Sequence, residues 1–151
     1  MFLKIPPIEK IPEAFSVIAD QRITMDNMSA KVKSSDYSKE YIVTWINDIY
    51  SSNDNASYWR SIIGYPIIAV LMLQEKLPYN KEIASLFKGI NWKKMNVEYK
   101  NNYTQVIEVL FNEWQKKGID TQAVYKEMQA VYAKLKELQL EGKRSALRPP
   151  R

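Results

Sequence analysis

Twelve consecutive apolar residues, Ile62–Leu73 (IIGYPIIAVLML), constrain this chain more than any other feature. Arg60 and Glu75 bound the run. A helix that crosses a bilayer needs about 20 such residues, so the run is too short to span one and no membrane partner is expected. It must instead be covered on all sides by the rest of the protein. The 151 residues can do this in one domain, because a domain of about 150 residues buries roughly 68–70% of its unfolded surface. Gly64-Tyr65-Pro66 should bend or break the helix that otherwise extends from Ala56 to Leu77.

The chain contains neither Cys nor His. That excludes disulfides, zinc sites of the Cys/His type, and Ser-His or Cys-His catalytic pairs. It also removes the side chain that most readily moves protons near neutral pH. The four glycines are not spaced as a phosphate loop. A calcium loop counted from Asp48 needs Gly at its sixth position and Glu at its twelfth, but Asn53 and Trp59 stand there. Asp54 suits a helix cap instead. Arg22, close to Asp20, reads as a surface residue. No catalytic residue, metal or cofactor is therefore expected, and a binding protein is favoured over an enzyme.

Local patterns give an α+β, helix-rich expectation. A first helix should begin at Pro12, with Ile11, Ala14, Phe15 and Ile18 on one stripe. Residues 22–52 admit two readings. The turn signal Asp26-Asn27 and the β-branched content of YIVTWINDIYSS favour a small antiparallel β-meander. Tyr37, Tyr41, Ile42, Trp45, Ile46, Ile49 and Tyr50 also fall at helical spacing, which makes an all-α bundle with helices over 12–33 and 37–51 the alternative. A short helix should run from Asn80 to Phe87. Farther on, Tyr99, Tyr103, Val106, Ile107, Leu110, Phe111 and Trp114 form one apolar face over four turns. Gly118 suits a helix stop and Asp120 a helix start. Val124, Met128, Val131, Leu135 and Leu138 then step at heptad spacing, which predicts a C-terminal antiparallel helical hairpin.

Charge is unevenly spread. The chain carries 22 basic and 17 acidic residues. Residues 121–151 hold 7 basic and 3 acidic groups, so most of the excess of five positive charges lies there. The expected organisation is a single globular domain, 1–142, and a basic flexible tail, 143–151. The tail cations Lys143, Arg144, Arg148 and Arg151 are candidates to contact nucleic-acid phosphates. Lys134 and Lys136 could extend that surface, as could Lys93 and Lys94 beside Trp92. Trp92 itself is expected to close the core. The alternative partner is another protein or a second copy of this chain, bound on the helical hairpin. MFLKIPPIEKIPEAF has prolines and charges where a secretory signal has an apolar stretch, so a cytoplasmic location is expected.

The stretch SKEYIVTWINDIYSSNDNASYWRSIIGYPIIAVLML resembles a degenerate SWIM-type module. Such modules bind DNA or proteins and join a strand ending in Cys-x-Cys to a helix opened by Cys-x-His. Tyr50-Ser51-Ser52 and Tyr65-Pro66-Ile67 occupy those places here, so no zinc and no ligand residue carries over. The resemblance implies a strand-loop-helix unit in which apolar packing replaces the metal. IGYPIIAVLMLQEKLPYN and FKGINWKKMN also resemble small archaeal proteins of unknown function.

Overall fold

The computed structural model describes residues 1–151. Helix α1 (Lys10–Ala19) starts two residues earlier than the Pro12 signal suggests. Pro12 still lies in the first turn, where its missing N–H has no intrahelical acceptor to lose. Gln21, with a left-handed φ of 55°, turns the chain into strand β1 (Ile23–Met25). Strands β2 (Ser29–Lys33), β3 (Glu40–Ile46) and β4 (Ile49–Ser52) complete an antiparallel meander. Asp26 Oδ1 accepts the N–H groups of Met28 and Ser29 at 3.0 and 2.8 Å, which fixes the β1–β2 turn.

The fold is α+β, and the helical alternative for 37–50 is overturned. Asn47 and Asp48 both take positive φ (52° and 61°), the conformation of a two-residue hairpin turn. Ile46 pairs with Ile49 across that turn, and Trp45 with Tyr50. Tyr41, Val43 and Trp45 alternate along β3, so one strand face gathers residues that a helical count also gathers.

The apolar run divides as its Gly-Tyr-Pro signal requires. Helix α2 (Asn55–Arg60) ends at Ser61, which has φ 55°. Helix α3 (Tyr65–Leu73) carries Pro66 in its first turn and is buried from Pro66 to Met72. It stops four residues short of Leu77, because Glu75 adopts φ 62°. Helix α4 (Lys81–Ser85) is capped by Asn80. Helix α5 (Trp92–Glu98), which the sequence pattern does not announce, is capped by Asn91. Helices α6 (Tyr103–Lys116) and α7 (Thr121–Leu138) are joined by residues 117–120 and pack on one another. Gly118 there has φ 82°, and Asp120 accepts the N–H groups of Gln122 and Ala123. Strand β5 (Glu141–Gly142) runs parallel to β4 and makes the sheet mixed, in the order β1-β2-β3-β4-β5.

One core of 29 buried hydrophobic residues extends from Leu3 to Leu140. Helix α3 packs against α1, β3 and β4. Phe87 joins the layers, with ring centroids 5.7 Å from Phe15, 6.2 Å from Trp92 and 4.9 Å from Trp114. Trp92 is buried, as expected. Arg22 is not the surface residue its neighbourhood suggested, for its side chain folds inward and is almost fully buried. At the other side of the sheet the Leu3 N–H donates to Leu140 O at 2.8 Å, and the Gly142 N–H to Met1 O at 2.9 Å. No helix is long and apolar enough to cross a membrane.

Candidate nucleic-acid interface

Strand β5 sets the position of the basic end. The Lys143 N–H donates to Tyr50 O at 3.0 Å, and Asn53 Nδ2 donates to Arg148 O at 3.2 Å. Residues 143–148, expected as the start of a flexible tail, are thus tied to β4 and the loop after it. Within 143–148 these bonds engage backbone atoms only. The side chains of Lys143, Arg144, Arg148 and Arg151 are exposed, and none has a carboxylate within ion-pair distance.

Arg144 reaches back to α2. Its guanidinium carbon lies 5.1 Å from the centroid of the Tyr58 ring, a cation-over-ring contact. Tyr58 meets Trp59 edge-on at 4.6 Å. Trp59 is 59% exposed, and Arg60 beside it is exposed and unpaired. A cation and two rings therefore follow one another here, and Arg60 lines an open pocket together with Trp59. That order offers a ring for base stacking and charges for the flanking phosphates.

Asp54 holds α2 in place. Its carboxylate accepts the Ser57 N–H at 3.1 Å, the helix cap anticipated from the sequence, and the Ser52 hydroxyl at 2.5 Å. Burial raises its pKa above the usual carboxylate range, against the opposing effect of the Ser52 and Ser57 bonds. Gly64 closes over it so tightly that a Cβ there would sit 2.1 Å from Asp54 Oδ2. Asp48, the other end of the rejected calcium loop, is exposed and pairs with Lys76 at 2.7 Å.

The remaining expected cations lie on other elements. Lys93 is 3.5 Å from the Asp36 carboxylate, and Lys94 gives its N–H to the Asn91 cap. Lys134 is 3.6 Å from Glu137, and Lys136 stands 4.5 Å over the Tyr132 ring. Helix α5 packs on α6, whereas α7 packs on α1 and α6. The structure thus groups the basic end with Tyr58, Trp59 and Arg60, three residues that sequence reasoning passed over. Their signal was the triplet Tyr-Trp-Arg placed directly after a capping loop.

A family model matches residues 3–141. The chain belongs to the family described as uncharacterised conserved protein UCP014422. The match to UCP014422 takes in Tyr58, Trp59 and Arg60 but ends before Lys143. No curated protein and no solved structure matches the chain.

Proposed function

We propose that this is a non-enzymatic binding protein that contacts nucleic-acid phosphates through Lys143, Arg144, Arg148 and Arg151, with Trp59 stacking on an unpaired base. The run Arg144–Tyr58–Trp59–Arg60 carries this reading, because it joins exposed cations to an exposed ring on a clamped helix. The resemblance of this stretch to a SWIM-type module without its metal is in keeping with the reading, although α2 stands where that resemblance implies a loop. Lys93 and Lys94 lie on α5, and Lys134 and Lys136 on α7, and they are secondary contacts in this reading.

Single-stranded oligonucleotides at several salt concentrations test the proposal. If four phosphates are neutralised, log K should fall with log salt at a slope of about −2.8 on single strands and about −3.6 on duplex. Changing Lys143, Arg144, Arg148 and Arg151 together to Gln keeps the backbone tethers and should remove most of that slope. Trp59→Ala should weaken single-strand binding by about 1–3 kcal/mol without changing the slope. An unchanged slope in the Gln variant rejects the role of the basic end. A stable dimer that ignores nucleic acid at low salt would favour the protein–protein alternative. The α6–α7 face, with an exposed Tyr125 in an open groove of 640 Å³, would then be its place.

A further inference from the structure

Two buried side-chain nitrogens have no hydrogen-bond partner in the protein: Arg22 Nη2 and Trp92 Nε1. Both residues line one cavity of 240 Å³. Arg22 is 3% exposed and Trp92 is 4% exposed. Buried donors are nearly always partnered, because one left unmade forfeits its hydration with no return. Two such donors belong to residues of one cavity, and each still wants an acceptor.

The guanidinium is held as a fixed fork. Asp20 Oδ1 accepts the Gly89 N–H at 2.8 Å, which orients the carboxylate. Asp20 Oδ2 then accepts Arg22 Nε–H at 3.1 Å, while Lys33 O accepts Nη1–H at 2.5 Å. Two of the three nitrogens are engaged by the protein and the third is left over. Trp92 is fixed as well, by stacking on Phe87 and by its backbone N–H, which donates to Ser35 Oγ at 2.9 Å. Both donors are therefore in place before any ligand arrives.

Chemistry and charge narrow the occupant. A guanidinium and an indole N–H can only donate, so they cannot ligate a metal cation. The charged residues lining the cavity are Arg22, Lys39, Lys93 and Glu13. Glu13 is already paired with Lys10 at 2.6 Å, Lys93 has Asp36 at 3.5 Å, and Arg22 has Asp20 at 3.1 Å. Lys39 has no carboxylate partner. Lys10, Arg22, Lys39 and Lys93 against Glu13, Asp20 and Asp36 leave one positive charge. The volume lies below the roughly 300–1,000 Å³ of sites for drug-sized ligands.

We propose that this cavity binds a small oxyanion, the carboxylate or phosphate group of a compact ligand, received by Arg22 Nη2 and Trp92 Nε1. The site is lined by none of the residues of the Tyr58–Trp59–Arg144 face and stands or falls independently of it.

The indole N–H signals of Trp45, Trp59, Trp92 and Trp114 in a ¹H–¹⁵N spectrum read the site directly, with Trp92→Phe assigning its own peak. Sodium phosphate and sodium acetate are titrated separately, with sodium chloride holding ionic strength constant. The Trp92 peak should move saturably with at least one of them, while the Trp114 peak stays. A response to phosphate alone assigns a phosphoryl group, to acetate alone a carboxylate, and to both the shared oxyanion chemistry. Arg22→Met should raise Kd by about tenfold or more. Should that variant fail to fold, Lys39→Gln, at a half-buried position, should raise Kd by about two- to fivefold. Movement of the Trp92 peak no greater than chloride alone produces, or affinity unchanged in whichever of these variants folds, overturns the proposal.

Discussion

Gly64→Ala should destabilise the protein through Asp54, 10 positions away in sequence. The backbone at Gly64 has φ −86° and ψ 165°, which any residue can adopt, so strain in the chain is not the cause. The cause is contact. The new methyl carbon would lie 2.1 Å from Asp54 Oδ2 and 2.6 Å from Cγ. A carboxyl group so close to its own backbone cannot swing clear without giving up its bonds to Ser57 N–H and the Ser52 hydroxyl. Losing a helix cap costs about 0.5–2 kcal/mol. A buried donor left unpaired costs about 1–3 kcal/mol more. Removing a glycine from the unfolded chain returns about 0.4–1 kcal/mol. The net loss should be about 1–4 kcal/mol, read as a lower urea midpoint with an unchanged m-value. The same substitution in an Asp54→Gly background meets no carboxylate, and there it should be neutral or slightly stabilising. An equal loss in both backgrounds would refute the reasoning. Since α2 carries Trp59 and Arg60, Gly64→Ala should also weaken oligonucleotide binding.

Asp54 also predicts a pH dependence. Burial lifts its pKa above the ordinary 3.8, so the folded state holds a proton that the unfolded chain has already released. Stability contributed by this group is therefore fullest below the unfolded value and is lost as pH rises through the folded one. Asp54→Asn removes that loss, so its stability relative to wild type should improve as pH rises above about 4 and level off once pH exceeds the folded-state value, read in urea melts. A difference that stays flat over that range counts against a raised Asp54 pKa. Leu135 on α7 is fully buried, and Leu135→Ala should cost about 2–5 kcal/mol in the same assay. A cost under 1 kcal/mol would mean that the α7 seam does not anchor the core.

What the sequence made legible was local. Gly118 and Asp120 announced the α6–α7 link because a left-handed stop and a capping carboxylate act within a few residues of themselves. The Asp26 turn was legible for the same reason. Residues 37–50 were ambiguous because alternation along β3 and helical spacing collect the same rings. The decision rested on Asn47-Asp48, whose paired positive φ values form a turn that the apolar pattern cannot show. Charge was legible as a count but not as a placement. Lys93 and Lys134 acquire acidic neighbours, whereas Arg144 finds the ring of Tyr58, 86 positions earlier. Arg22 was the least legible residue. Its burial depends on Lys33 O, on Asp20, and on Gly89 far along the chain, and no local pattern brings these together.

Strand β5 gives the chain a schedule as well as a shape. Residues 141–142 lie against β4 on one side and the Met1–Leu3 stretch on the other, so they bridge segments made long before them. During synthesis the outer rim of β4 waits unsatisfied until Gly142 has left the ribosome. A nascent chain stalled before that point would expose a sticky edge to its neighbours, and a helper that shields strand rims would be needed most there.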